Sequence, residues 1–74
     1  MVTRKMDLFR QNVREQLKLR RMTQGDLAER VGLSQEWLSK MLCGKSNPTL
    51  PTCERIARGL ETSLEALLAE PSQV

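Results

Sequence analysis

The residues best suited to molecular recognition lie close together in the stretch 34–40. They carry two hydroxyls, an amide, a carboxylate and an ammonium group, on Ser34, Gln35, Glu36, Ser39 and Lys40. At the edge of a DNA base pair, an amide can bond adenine, an ammonium group can donate to guanine, and a carboxylate can accept from cytosine. The five side chains could therefore read bases, provided that one surface presents them together.

Helical spacing predicts such a surface. Leu38, Met41 and Leu42 form an apolar stripe with the period of an α-helix, and Ser34 is a favourable N-cap before it. A helix over 34–42 would turn this stripe toward a core and the polar side chains toward solvent.

A second short helix is predicted just before this one. Thr23 can cap it, and Asp26 stands three residues later, where a capping box has its acid. Gly32 can adopt the positive φ that often follows a helix end. Two helices joined in this way are typical of the DNA-binding helix-turn-helix, whose second helix enters the major groove.

Seven positions match the apolar, small and turn residues of that pattern. They are Leu27, Ala28, Val31, Gly32, Leu33, Leu38 and Met41. A plain helical hairpin with the same packing and no ligand is the alternative interpretation. Seven matches in register favour DNA binding over it.

The rest of the chain completes an all-α bundle of five helices. Asp7 can cap a first helix that ends at about Arg20 and places Phe9, Val13 and Leu17 on its inner face. After the second motif helix, the stretch 44–48 is a loop by composition.

Two further helices are expected after that loop. Thr49 can cap one that ends at about Leu60, and Ser63 can cap a shorter one that ends before Pro71. We therefore expect a domain over 7–69, with flexible ends at 1–6 and 70–74.

Charge is distributed unevenly along the 74 residues, whose net charge is +3. The first 21 residues carry seven basic and two acidic side chains, whereas 49–74 carries two basic and four acidic ones. This asymmetry suits a small domain with one side toward phosphate. Ordinary solvated helix faces would produce the same asymmetry and remain the alternative.

Several classes of function are not expected. The chain has no histidine, and Cys43 and Cys53 match no metal-ligand spacing, so neither a metal nor a cofactor is expected. It has no nucleophile–base set and no phosphate-binding loop, so an enzyme is not expected. No apolar run is long enough for a membrane span and the start is no signal peptide, so we expect a cytoplasmic protein.

Over about residues 13–68 the chain resembles the Xre-type, or Cro/repressor-type, helix-turn-helix domains of bacteria and phages. The resemblance implies a five-helix, lambda repressor-like domain that binds double-stranded operator DNA, usually as a homodimer, and regulates transcription. We expect a repressor, although the sequence does not distinguish repression from activation. The resemblance rests on the following residues: Met22-Thr23-Gln24, Leu27-Ala28, Gly32-Leu33-Ser34, Gly44-Lys45, Asn47-Pro48-Thr49-Leu50, Ile56-Ala57, Leu60, and Ser63-Leu64 with Leu67-Leu68.

The resemblance also implies which residues touch DNA and the second copy. Base contacts are expected from the outward face of the second motif helix, at Ser34, Gln35, Glu36, Ser39 and Lys40. Phosphate contacts are expected at Thr23, Gln24, Trp37, Lys45, Ser46 and Asn47. Trp37 is expected to pack under the loop toward the fourth helix with its indole N–H on a phosphate, and a purely structural Trp37 is the alternative. A dimer contact is expected at Leu60, Leu64, Leu67 and Leu68. The alternative is that these leucines all belong to the core and that the domain is a monomer that dimerises only on DNA.

Three features depart from the family pattern. Leu17 and Leu42 stand where many members have an Arg–Glu pair, an exchange that need not cost stability. Glu61 stands at the usual glycine after the fourth helix. Gly59 lies in the last turn of that helix, where glycine costs about 1 kcal/mol relative to alanine.

One function of a different class stays open. Antitoxins often keep this same DNA-binding domain, and their main activity is binding a toxin partner. A phage regulator, a restriction–modification controller and an antitoxin all fit the residues described above.

Overall fold

The computed structural model describes residues 4–70, which form five helices and, within that range, no strand. This confirms the predicted all-α bundle. Residues 1–3 and 71–74 of the expected flexible ends lie outside the described residues. The helices are α1 (Arg4–Arg20), α2 (Gln24–Val31), α3 (Gln35–Leu42), α4 (Leu50–Gly59) and α5 (Leu64–Leu68).

The first helix begins one turn earlier than the sequence suggests. α1 starts at Arg4, so the prediction that Asp7 caps it is wrong. Asp7 instead lies inside the helix, with its carboxylate 3.6 Å from Nη1 of Arg10. The added turn lets the Arg4 guanidinium donate to the carboxylate of Glu70, after α5. Those hydrogen bonds hold the pKa of the Glu70 carboxyl below its ordinary value.

The predicted N-caps are confirmed at the other four helices. Thr23 closes a full capping box, because its Oγ1 accepts from the Asp26 amide and its own amide donates to the Asp26 carboxylate, each over 3.0 Å. The backbone hydrogen bond from Thr23 lowers the pKa of the Asp26 carboxyl. The hydroxyls of Ser34, Thr49 and Ser63 accept from the amide three residues on. Each helix start therefore satisfies a backbone donor that would otherwise lack a partner.

Two of the connections turn on residues other than glycine. Gly32 and Gly44 have positive φ, as glycine permits, but so do Arg21 (φ 55°) and Glu61 (φ 56°). Glu61 therefore makes the turn for which the family uses glycine, and α4 still ends at Gly59. The left-handed conformation costs a residue with a Cβ about 1–2 kcal/mol.

The core holds the apolar stripes that the sequence predicts. Phe9, Val13 and Leu17 are buried on α1, and Cys53 is buried on α4. Leu17 is 7% exposed and Leu42 is 2% exposed, so both apolar replacements for the usual ion pair belong to this core. The stripe of the second motif helix, Leu38, Met41 and Leu42, is buried as well.

Candidate nucleic-acid interface

The outer face of α3 is polar and open to solvent. Ser34, Gln35, Glu36 and Lys40 are exposed, and Ser39 is half-buried. The Ser34 hydroxyl accepts from the Trp37 amide over 3.0 Å, so its hydrogen remains available for donation. α3 therefore presents the hydrogen-bonding groups expected for base contacts on one face, with the apolar stripe behind them.

The start of α2 lies beside the first turn of α3. Oε1 of Gln35 is 3.0 Å from the point that a Cβ on Gly25 would occupy, so the glycine makes room for this side chain. Gln24 is half-buried next to it, and the Thr23 hydroxyl is engaged in the capping box. Backbone N–H groups at such a helix start attract phosphate. The sequence analysis missed Gly25, although a glycine in a first helical turn is the signal that could have found it.

The loop over 44–48 follows the C-terminal end of α3, and its Asn47 lines one surface hollow with Ser34 and Trp37. Lys45 and Asn47 are exposed, Ser46 is half-buried, and Pro48 is buried and anchors the loop. Gly44 turns the chain with a φ of 87°. The loop thus offers an ammonium group, a hydroxyl and an amide to an anion next to α3.

A buried arginine that the sequence analysis missed ties this loop to α1. Arg10 is 7% exposed, and its Nε donates to the Met41 carbonyl over 2.7 Å. Its Nη2 donates to the Ser46 carbonyl over 3.2 Å and to Oδ1 of Asn47 over 2.7 Å. These hydrogen bonds fix the loop after α3 to α1. Arg10 lies only three residues after position 7, where the sequence predicts that the domain begins.

A second arginine one turn further along α1 has a similar role. Nη2 of Arg14 donates to the Leu42 carbonyl at the end of α3. Positive groups are favourable at a helix C-terminus, where backbone carbonyls lack partners. Two arginines of α1 thus stabilise the end of α3, in a chain that lacks the usual Arg–Glu pair. Their spacing of four residues beside the apolar stripe of α1 is the sequence signal for this arrangement.

Trp37 connects α3 with the loop and α4. The ring is half-buried and packs against the core. It lines a shallow surface hollow together with Asn47, Thr49 and Thr52. This agrees with packing under the loop toward the fourth helix. The indole N–H donates to no group among residues 4–70 and stays available to a ligand.

The four leucines expected at the dimer contact do not form one exposed patch. Leu60 is 0% exposed and Leu67 is 1% exposed, so both side chains belong to the monomer core and offer no surface to a second copy. The burial of Leu60 and Leu67 therefore contradicts their expected place in the dimer contact. Leu64 and Leu68 are half-buried at the edge of the core and still reach solvent.

The described residues show no metal site and no membrane span. Within 4–70, no three side chains of the histidine, cysteine, aspartate and glutamate types approach closely enough to hold a metal ion. None of the five helices combines the length and the apolar character needed to cross a bilayer. Cys43 is exposed and Cys53 buried, and burial raises the pKa of the Cys53 thiol.

Comparison with known proteins identifies the family. The model of the helix-turn-helix family of the Cro/C1 type matches residues 13–67, which is more than half of the chain. Neither the curated proteins nor the solved structures contain a significant match. The matched segment begins within α1 and ends within α5, so Arg10 lies before it. The chain belongs to the Cro/C1-type helix-turn-helix family and, at the level of that family, is a DNA-binding transcription regulator.

Proposed function

We propose that this protein is a sequence-specific operator-binding repressor that reads the major groove with α3. The observation that carries the proposal is the exposed row of Gln35, Glu36 and Lys40 on α3. The start of α2 lies beside the first turn of α3, and the loop after α3 follows the last turn of that helix. That is the arrangement in which a recognition helix reads bases while its neighbours bind the phosphates beside the groove.

Each group in the proposed site has a chemical counterpart on DNA. The Gln35 amide can form two hydrogen bonds with adenine, the Lys40 ammonium group can donate to guanine, and the Glu36 carboxylate can accept from cytosine. The hydroxyls of Ser34 and Ser39 can hydrogen bond with several bases. The phosphate contacts come from backbone and side-chain donors that lie beside this row and carry no sequence information themselves. They are Thr23, Gln24, Trp37, Lys45, Ser46 and Asn47.

The active form is a homodimer on a near-palindromic operator. One short recognition helix reads too few base pairs for useful specificity, and two copies on half-sites about 10 bp apart double that number. The DNA-facing surface must stay free, so the pairing surface lies elsewhere. Leu64 and Leu68 of α5 are half-buried apolar side chains that still reach solvent, and we place them in the two-fold contact. Occupying a promoter is enough to repress it, and the site of action is the cytoplasm.

The test is duplex binding as a function of salt. A duplex selected from random sequence, or the region upstream of the protein's own gene, is titrated with the protein at 50 and 200 mM salt. A dimer that neutralises roughly 6 to 10 phosphates loses about 10³ to 10⁵ in affinity over this range. Weak binding that does not change with salt would show that the proposal is wrong. A footprint of the complex then locates the two half-sites.

A further inference from the structure

We infer that Arg10 is a positioning residue for DNA binding, because it orients the side-chain amide of Asn47 so that Nδ2 faces the phosphate backbone. The inference rests on the proposed function and adds a residue that lies outside both the DNA-facing surface and the segment matched by the family.

The orientation of the amide follows from the chemistry of the two groups. An arginine guanidinium can only donate, so the Asn47 atom that lies 2.7 Å from Nη2 of Arg10 must be the carbonyl oxygen. Nδ2, the donor atom of the same amide, then points the other way. Asn47 is exposed, and its Nδ2 donates to no group among residues 4–70. The exposed end of this side chain is therefore a donor, as a phosphate oxygen requires.

Burial makes Arg10 a fixed reference for this orientation. The residue is 7% exposed, and its Nε is bound to the Met41 carbonyl at the end of α3. Asp7 lies 3.6 Å from its Nη1 and helps to keep the guanidinium in place. Because the guanidinium binds α3 and the loop at once, it sets the position of Asn47 relative to the recognition helix. An exposed asparagine without such a partner would present either end of its amide to DNA.

The test compares the cost of losing Asn47 in two backgrounds. Affinity for a selected duplex is measured for the parent, for Asn47→Ala, for Arg10→Leu and for the double variant, under conditions where circular dichroism shows all four folded. One well-placed hydrogen bond to a charged group corresponds to about a tenfold change in affinity. We therefore expect Asn47→Ala to weaken binding about tenfold in the parent and about twofold or less in Arg10→Leu.

Two controls separate orientation from general effects. Lys45→Ala removes another donor from the same loop, and Arg10 does not contact the Lys45 side chain, so this variant should cost the same factor in both backgrounds. Arg20→Leu removes one positive charge from α1 at a position that faces Glu61 rather than the loop. In this background, Asn47→Ala should still weaken duplex binding about tenfold.

A second variant does not depend on how well Arg10→Leu folds. Asn47→Asp keeps the oxygen that accepts from Arg10 and replaces the donor end with a second oxygen. We expect this variant to be at least as stable as the parent and to bind the duplex more than tenfold more weakly, with a larger loss than Asn47→Ala.

Three results would overturn the inference. They are an equal cost of Asn47→Ala in both backgrounds, the same dependence on Arg10 for Lys45 as for Asn47, and parent-like binding by Asn47→Asp. With any of them, salt-dependent binding by the parent would leave the proposed function standing. A parent that binds no duplex would overturn both.

Discussion

Gly59 of α4 lies so close to Val31 of α2 that a Cβ at position 59 would be 2.2 Å from Cγ1 of Val31. Nη1 of Arg30 also donates to the Gly59 carbonyl over 3.1 Å and joins the same two helices. The helix propensity of glycine alone suggests that this residue weakens α4. The contact shows instead that glycine permits the close approach of α4 to α2, the first helix of the motif.

Gly59→Ala should therefore destabilise the protein, although alanine is the better helix former. Overpacking of a close contact costs about 1–3 kcal/mol, which exceeds the gain in propensity of about 1 kcal/mol. The change is measured by urea unfolding. Val31→Ala in the same chain should recover part of the loss, because it removes the methyl group that clashes. A Gly59→Ala variant more stable than the parent would show that α2 and α4 separate without cost.

Glu61→Gly should stabilise the protein by about 0.5–1 kcal/mol. Glycine relieves the left-handed strain of about 1–2 kcal/mol at φ 56°, and the greater freedom of glycine in the unfolded chain offsets part of that gain. The lost contact with Arg20, 3.4 Å long and exposed, contributes little. Glu61→Ala is the control, since it removes the carboxylate and keeps the strain. Thermal unfolding of the two variants distinguishes these terms, and equal melting temperatures would contradict the prediction.

Base contacts and phosphate contacts should respond differently to alanine substitution. Gln35→Ala or Lys40→Ala should cost about 1–3 kcal/mol on the best operator and relax the preference at particular base pairs. Lys45→Ala should weaken binding to all sequences alike and lower the salt slope by about one. Binding to a panel of single-base variants of the operator measures both effects. Unchanged base preferences in Gln35→Ala would remove that residue from the base-reading face.

The dimer contact can be tested with lysine substitutions on α5. Leu64→Lys or Leu68→Lys should leave a folded monomer and abolish cooperative binding to the full operator, because a charge would then meet its own copy across the two-fold axis. Leu19→Lys is the matched control, since Leu19 is 68% exposed on α1 and lies outside the proposed contact. Sedimentation and operator titration provide the measurements. Cooperative, parent-like binding by both α5 variants would place the dimer contact elsewhere.

Local chemistry determined most of the fold. The caps at Thr23, Ser34, Thr49 and Ser63 were predictable because a hydroxyl reaches an amide only three residues away. The inward stripes were predictable because an α-helix repeats every 3.6 residues. The outward row of α3, including Gln35, follows from the same period.

Only the tertiary structure decided how those helices meet. Arg10 appears in the sequence as one of many basic residues, and its role depends on carbonyls and an amide 31 to 37 positions away. Leu60, Leu64, Leu67 and Leu68 are all leucines, so their residue type does not predict which of them is buried. The packing of α5 on α1 and α4 buries Leu60 and Leu67 and leaves Leu64 and Leu68 half-buried. Gly59 likewise looks unfavourable until Val31 of another helix is placed against it. Periodicity assigns a side chain to a face of its own helix, whereas distances between helices depend on the volumes of side chains that are remote in sequence.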